Sequence, residues 1–226
     1  MADFDVASVR VNPVAPPPVG ADTLAALARA SASLVVDQDE DDCLSLPAGL
    51  RPLGDRPGNT FLCAPAFTIN ARPGDNVAVR LGIERAEPGQ VLVIAGKADR
   101  SRGLIGEIMA RKAAARGIAG FVIEGVVRDG AAIGRLDLPV FCLGSALKRA
   151  TKHGHGDVGY PVAIGNEVVY PGDVVVADLD GTAVVRSAGA AAVAARIEAA
   201  LAYEADRMRS ADAGTLDLGV GGPARS

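Results

Sequence analysis

The chain has 226 residues, 49% of them hydrophobic but only 4% aromatic, so it is long enough for one large domain or two small ones and builds its core from small aliphatic side chains. A net charge of -4 without a basic tract argues against general nucleic-acid binding, although a local positive site for a small anion stays open. Cys43, Cys63 and Cys142 are widely spaced and form no CxxC, which argues against a disulfide framework or a cysteine zinc site.

Residues 1–20 include VNPVAPPPVG and are expected to form an extended or disordered arm. No basic region followed by an apolar stretch opens the chain, and the apolar runs are only strand length. Neither a signal peptide nor a membrane span is expected, and a soluble cytoplasmic protein is the simplest reading. ADTLAALARASASLVV reads as a helix capped by Asp22 or Thr23. DQDEDD, residues 37–42, lacks the glycine turn and distal glutamate of a calcium loop and reads as a solvated loop.

TFLCAPAFTIN reads as a strand, RPGDN turns the chain out of it, and NVAVRLGIERA has helical spacing. EPG stops that helix, and QVLVIAG, residues 90–96, is a short buried strand. GLIGEIMARKAAARG is the clearest helix. Leu104, Ile108 and Ala115 fall on one side, Arg111, Lys112 and Arg116 on another, and Gly117 suits the C-terminal cap. IAGFVIEG and LPVFCLG are further buried strands. YPVAIGNEVVYPGDVVVADLDGTAVV alternates and is broken by GN, PGD and DLDG, the pattern of consecutive antiparallel strands. An Ala-rich helix is expected from residue 188 to about 209, then a loose tail at 220–226. Strand–helix–strand units followed by hairpins give one mixed α/β domain over residues 21–219.

Two short motifs could carry chemistry. In RGLIGE, Gly103 and Gly106 flank the start of the clearest helix, where free N–H groups make an anion site. In VVRD, Arg128 and Asp129 end the next strand side by side. Each alone fits a capped helix or a surface ion pair. In a strand–helix–strand crossover, however, the loop entering the helix and the end of the following strand lie near one edge of the sheet. Backbone donors, one arginine and the carboxylates of Glu107 and Asp129 would then share a cleft. Arginine grips a carboxylate bidentately, and carboxylate oxygens with water suit a hard cation such as magnesium. Such a set suits a small keto acid bound on a metal.

GEIMARKAAARGIAGFVIEGVVRD, with APAFTINARPGDN before it and PGDVVVADLDGTAVV after it, resembles the RraA-like family over residues 24–219. That family contains class II 4-hydroxy-4-methyl-2-oxoglutarate / 4-carboxy-4-hydroxy-2-oxoadipate aldolases and regulators of ribonuclease activity. The resemblance implies a single compact swivelling-domain-like α/β domain, with mixed sheet layers flanked by helices, that forms a homotrimer or hexamer with its site at a subunit interface. It also implies that Arg128 grips the pyruvate carboxylate and steadies the enolate oxygen. Asp129 would hold a divalent metal, Mg or Mn, and Glu107 would order water on it. Backbone N–H groups of Gly103, Leu104, Ile105, Gly106 and Glu107 would take the substrate carboxylate. Glu204 stands at about the place of an acid lent by the neighbouring subunit. The chain departs from the family where an aspartate or asparagine is often found instead of Glu124. It departs again where AGKAD, residues 95–99, replaces DGGGD, which brings Lys97 beside the implied site.

The remaining candidates have plainer readings. His153 and His155 in KHGHGD lack a third ligand and read as a surface loop. Asp178 and Asp180 in ADLDG read as turn builders. A Schiff-base role for Lys97 is unnecessary beside a metal-type set, and no GxGxxG follows a strand. The expected function is a divalent-metal-dependent lyase, an aldolase or oxaloacetate decarboxylase, acting on a 4-hydroxy-2-oxo acid through a pyruvate enolate. The alternatives are a non-catalytic regulatory protein of the same family, or a lyase recruited to another pathway.

Overall fold

The valine-rich runs become the centre of a mixed sheet in the computed structural model, which describes residues 6–218. Its strands are β1 (Val9–Val11), β2 (Cys43–Ser45), β3 (Arg51–Pro52), β4 (Leu62–Ala71), β5 (Val91–Asp99), β6 (Gly120–Gly125), β7 (Val140–Cys142), β8 (Gly156–Val158), β11 (Val174–Ala177) and β12 (Thr182–Val185). Strands β9 (Val162–Ile164) and β10 (Glu167–Val169) form a separate hairpin. The helices are α1 (Ala21–Leu27), α2 (Ala32–Val36), α3 (Val77–Arg85), α4 (Glu107–Ala115), α5 (Gly130–Ile133) and α6 (Ala190–Asp212). The main path runs β2-β12-β11-β4-β5-β6-β7-β3. Strands β4 to β7 are parallel and joined by α3, α4 and α5, while β11, β12 and β2 continue antiparallel beyond β4.

Alternation along the strands divides the core. Leu92, Ile94, Phe121 and Ile123 face α3, α4 and α5. Val91, Val93, Val122 and Phe141 face the β9–β10 hairpin. The outer wing, with Val174, Val176, Ala183 and Val185, is covered by α1, α2 and α6. Each such Val, Leu, Ile or Phe contributes about 1.5–3 kcal/mol on full burial, so this sheet is the rigid part of the molecule. No helix of the described residues is long and apolar enough to cross a membrane.

The structure corrects several sequence expectations. ADTLAALARASASLVV forms two helices, not one. Gly20, not Asp22 or Thr23, stands at the first N-cap. Ser31 caps the second, its Oγ accepting from Leu34 N at 3.2 Å, so the chain breaks where that side chain competes for the backbone. The clearest helix starts only at Glu107. Residues 104 and 105 spend their hydrogen bonds on a neighbouring segment, Leu104 N donating to Val126 O and Ile105 O accepting from Arg128 N. The buried face of α4 is therefore Ala110 and Ala113, whereas Ile108 is 86% exposed and Ala115 is also exposed. Leu104 reaches the core from the loop before the helix.

Strand β5 runs on to Asp99 through an irregularity after Ala95, where Lys97 and Ala98 adopt φ of 57° and 52°. Lys97 is exposed there and does not line the cleft beside Arg128. The acidic loop is more than a solvated run. Asp39 accepts from the N–H groups of Asp41 and Asp42 and pairs with Arg196 of α6 at 3.0 Å. Asp178 does build the expected turn, accepting from Asp180 N and Gly181 N, and its other oxygen takes Ala32 N at the start of α2. The arm carries β1, which pairs in parallel with β8. The tail at 220–226 lies outside the described residues.

Candidate active site

Parallel strands β5 and β6 bring the loop before α4 and the turn before α5 to the same sheet edge. Arg128 and Asp129 lie against that loop, and its glycines permit the approach. A Cβ on Gly103 would stand 2.6 Å from Arg128 N, and one on Gly106 would stand 2.9 Å from Asp129 Oδ2. Asp129 is itself left-handed, with φ 60° and ψ 36°. Aspartate tolerates that region better than most residues, and strain of this kind concentrates at functional sites. Arg128 Nε lies 3.4 Å from Asp129 Oδ1, and both side chains are about one-third to two-fifths exposed, at 34% and 41%. The pair faces a cleft and not bulk solvent alone.

That cleft has a volume of about 320 Å³, and Gly103, Ile105, Gly106, Arg128 and Asp129 all line it. Among the described residues no acceptor pairs with the N–H groups of Ile105, Gly106, Glu107 or Ile108. They sit at the positive end of a nine-residue helix, a suitable seat for a carboxylate. Leu104 does not line the cleft, because its side chain is fully buried. Glu107 stands in the first turn of α4 and is held by Arg111, whose Nε donates to Glu107 Oε1 at 2.8 Å. Glu204 lies elsewhere, in a groove between α2 and α6 that Leu34, Tyr203 and Arg207 also line. His153 and His155 are exposed, and their backbone N–H groups donate to Asp75 and Ser8.

Residues the sequence reading passed over complete the cleft: Asn76 and Arg80 from the start of α3, and Arg149 and Lys152 from the segment before β8. Asn76, only 6% exposed, donates through Nδ2 to Leu104 O at 3.0 Å and accepts from Arg80 Nε at 3.1 Å. Buried Asp75 accepts from Thr151 Oγ1 at 2.7 Å, from His153 N at 2.6 Å and from Val77 N at 3.0 Å. Burial pushes the Asp75 carboxyl up, but these hydrogen bonds together outweigh it and hold the group below its ordinary range. The GDN turn thus ties both walls of the cleft together. The available signals were a buried-type polar pair after a strand and the basic run KRATK.

The architecture defines an α/β protein with a cleft, lined by Arg128 and Asp129, at the carboxyl edge of its parallel strands. Residues 32–184 match the model of the RraA-like family, described as Aldolase/RraA, and the chain belongs to that family. A protein of Halalkalibacterium halodurans whose name proposes a 4-hydroxy-4-methyl-2-oxoglutarate aldolase is 36% identical over 145 residues, which cover 64% of this chain and 68% of that one. The structure of a Streptomyces coelicolor protein, RraAS2, described as an unusual member of the RNase ES inhibitor RraA family, superposes with a TM-score of 0.73 at 26% identity, covering 85% of this chain and 100% of that one. A Geobacillus kaustophilus structure named as an S-adenosylmethionine:2-dimethylmenaquinone methyltransferase gives 0.65 at 32% identity, covering 70% and 95%. These names differ in activity, so the chemistry has to be read from the cleft.

Proposed function

We propose that this chain is a class II carbon–carbon lyase acting on a 4-hydroxy-2-oxo acid through a pyruvate enolate, with oxaloacetate decarboxylation as an accompanying activity. The observation that carries the reading is the convergence of Arg128, Asp129 and the unpaired N–H groups before α4 on one cleft. Arg128 grips the 2-oxo acid carboxylate with its planar fork and stays close to the enolate oxygen as charge develops there. The N–H groups of Ile105, Gly106 and Glu107 fix the same end of the substrate. Glu107 is the candidate for ordering the water that takes the 4-hydroxyl proton. Asp129 offers oxygen donors, and no group of three His, Cys, Asp or Glu among the described residues could hold a metal. That donor set fits magnesium or manganese, which keep most of their waters and take further oxygens from substrate, and does not fit zinc. Such a cation would supply Lewis-acid polarisation of the 2-oxo group. We also infer a homotrimer or hexamer in which Glu204 serves a neighbour's cleft.

The test is pyruvate release from oxaloacetate and from 4-hydroxy-2-oxo acids, with magnesium or manganese and with a chelator, for wild type and Arg128→Lys. Turnover should require the cation and fall by about 10²-fold or more in the variant, because lysine keeps the charge but loses the fork. Near-normal turnover by the lysine protein would remove the role of Arg128. A second reading, a non-catalytic binding protein, draws on the engagement of Glu107 by Arg111. It predicts no pyruvate release under any of these conditions.

A further inference from the structure

We propose that Asn76 is a positioning residue: its buried carboxamide holds the loop 104–106 in the conformation that presents backbone N–H groups to the substrate carboxylate. This rests on the reading that those N–H groups seat a 2-oxo acid. Asparagine at a helix N-cap ordinarily accepts from the first turn of its own helix. Asn76 stands at the N-cap of α3, yet its side chain makes no cap hydrogen bond. Asp75 takes that place, accepting from Val77 N at 3.0 Å. The nearly buried carboxamide of Asn76 is thereby released to cross to the loop before α4, where Nδ2 donates to Leu104 O at 3.0 Å.

The loop needs such a pin. Gly103 and Gly106 flank it because Arg128 and Asp129 press against both positions, and glycine leaves the backbone free to rotate. Two backbone bonds hold the loop, Leu104 N donating to Val126 O and Ile105 O accepting from Arg128 N. Asn76 adds a side-chain bond to this set. A peptide unit is planar and trans, so its C=O and N–H point in opposite directions. Fixing Leu104 O therefore fixes the N–H of Ile105, which has no acceptor among the described residues. The carboxamide cannot turn over. Arg80 Nε donates to its Oδ1 at 3.1 Å, and a guanidinium offers no acceptor while a carbonyl has no hydrogen to give. A flip would lose both bonds. Aspartate would keep the bond from Arg80 but set an oxygen against the Leu104 carbonyl.

The test is calorimetric binding, with magnesium present, of 2-oxobutanoate and its uncharged amide, 2-oxobutanamide. The proteins are wild type, Asn76→Asp and Asn76→Ala, each checked for folding by circular dichroism. Wild type should prefer the acid about tenfold or more. Both variants should cut that preference by about fivefold or more. The alanine protein shows that the loss does not come from the charge that aspartate adds. General destabilisation removes folded protein from both ligands equally and leaves the ratio unchanged, so the ratio separates positioning from stability. A folded variant of either kind that keeps the wild-type ratio would overturn the proposal and leave Arg128 its role. Failure of both to fold would also overturn it, because Asn76 would then serve stability alone. If wild type itself binds the acid no more tightly than the amide, the carboxylate seat falls and the proposal falls with it.

Discussion

Asp75 shows how much one carboxylate can organise. It is buried and accepts hydrogen bonds from three separate groups. Hydrogen bonds to a charged acceptor contribute about 1.5–3 kcal/mol each at most, and an amide in its place would turn one donor towards another. Asp75→Asn should therefore lower stability by about 2 kcal/mol at neutral pH in urea unfolding. The pH dependence has a definite sign. The folded carboxyl titrates below the ordinary 3.8, so its contribution is present above that value and is lost as pH falls through the lower folded value. The gap between wild type and variant should close below about pH 4, and a gap that widens there would contradict the assignment. Arg128 and Asp129 were legible because adjacent charges end an apolar run. Arg80, Arg149 and Lys152 were not, because about 70 residues separate the first from the others and only the parallel sheet brings them together.

At the scale of elements, periodicity found the buried strands and the long C-terminal helix, but it misplaced the inward side of α4. The apolar residues Leu104 and Ile108 suggested a face, yet residues 104 and 105 are bound to the segment 126–128 and cannot join the helix. With Leu104 outside the helix, Ala110 and Ala113 alone mark the inward side, and Ile108 stands beside the cleft. The irregular end of β5 is another local cost invisible to pattern reading. Glu124, nearly buried, holds it by accepting from Lys97 N at 3.1 Å and from Gly165 N at 2.8 Å. Ala98 is exposed and left-handed, a conformation that costs a residue with a Cβ about 1–2 kcal/mol. Glycine loses more backbone entropy on folding, which returns part of that gain. Ala98→Gly should still raise stability, by about 0.5–1 kcal/mol in a urea melt. A loss of stability of that size would show that the bulge is not strained in solution.

At the scale of the whole molecule, the cleft and Glu204 lie on different parts of one chain, so an acid from α6 can serve the cleft only from another copy. Ile108, which lines the cleft, is 86% exposed, and Tyr203 and Met208 are exposed on α6. Singly exposed apolar residues are ordinary, but apolar surface around a functional cleft marks a contact region. Light scattering should give a trimer or a multiple of it, and a stable, fully active monomer would end the proposal. The sharper test uses two inactive proteins, Arg128→Ala and Glu204→Gln. Closed cyclic assemblies repeat one interface, so each cleft would combine Arg128 of one chain with Glu204 of the next. After dissociation and random reassembly in equal amounts, roughly one quarter of the clefts would regain both wild-type groups. Oxaloacetate turnover should return to about that fraction of wild type, while each variant alone stays low. No recovery, in mixtures shown by native mass spectrometry to have exchanged subunits, would mean that Glu204 does not act across the interface.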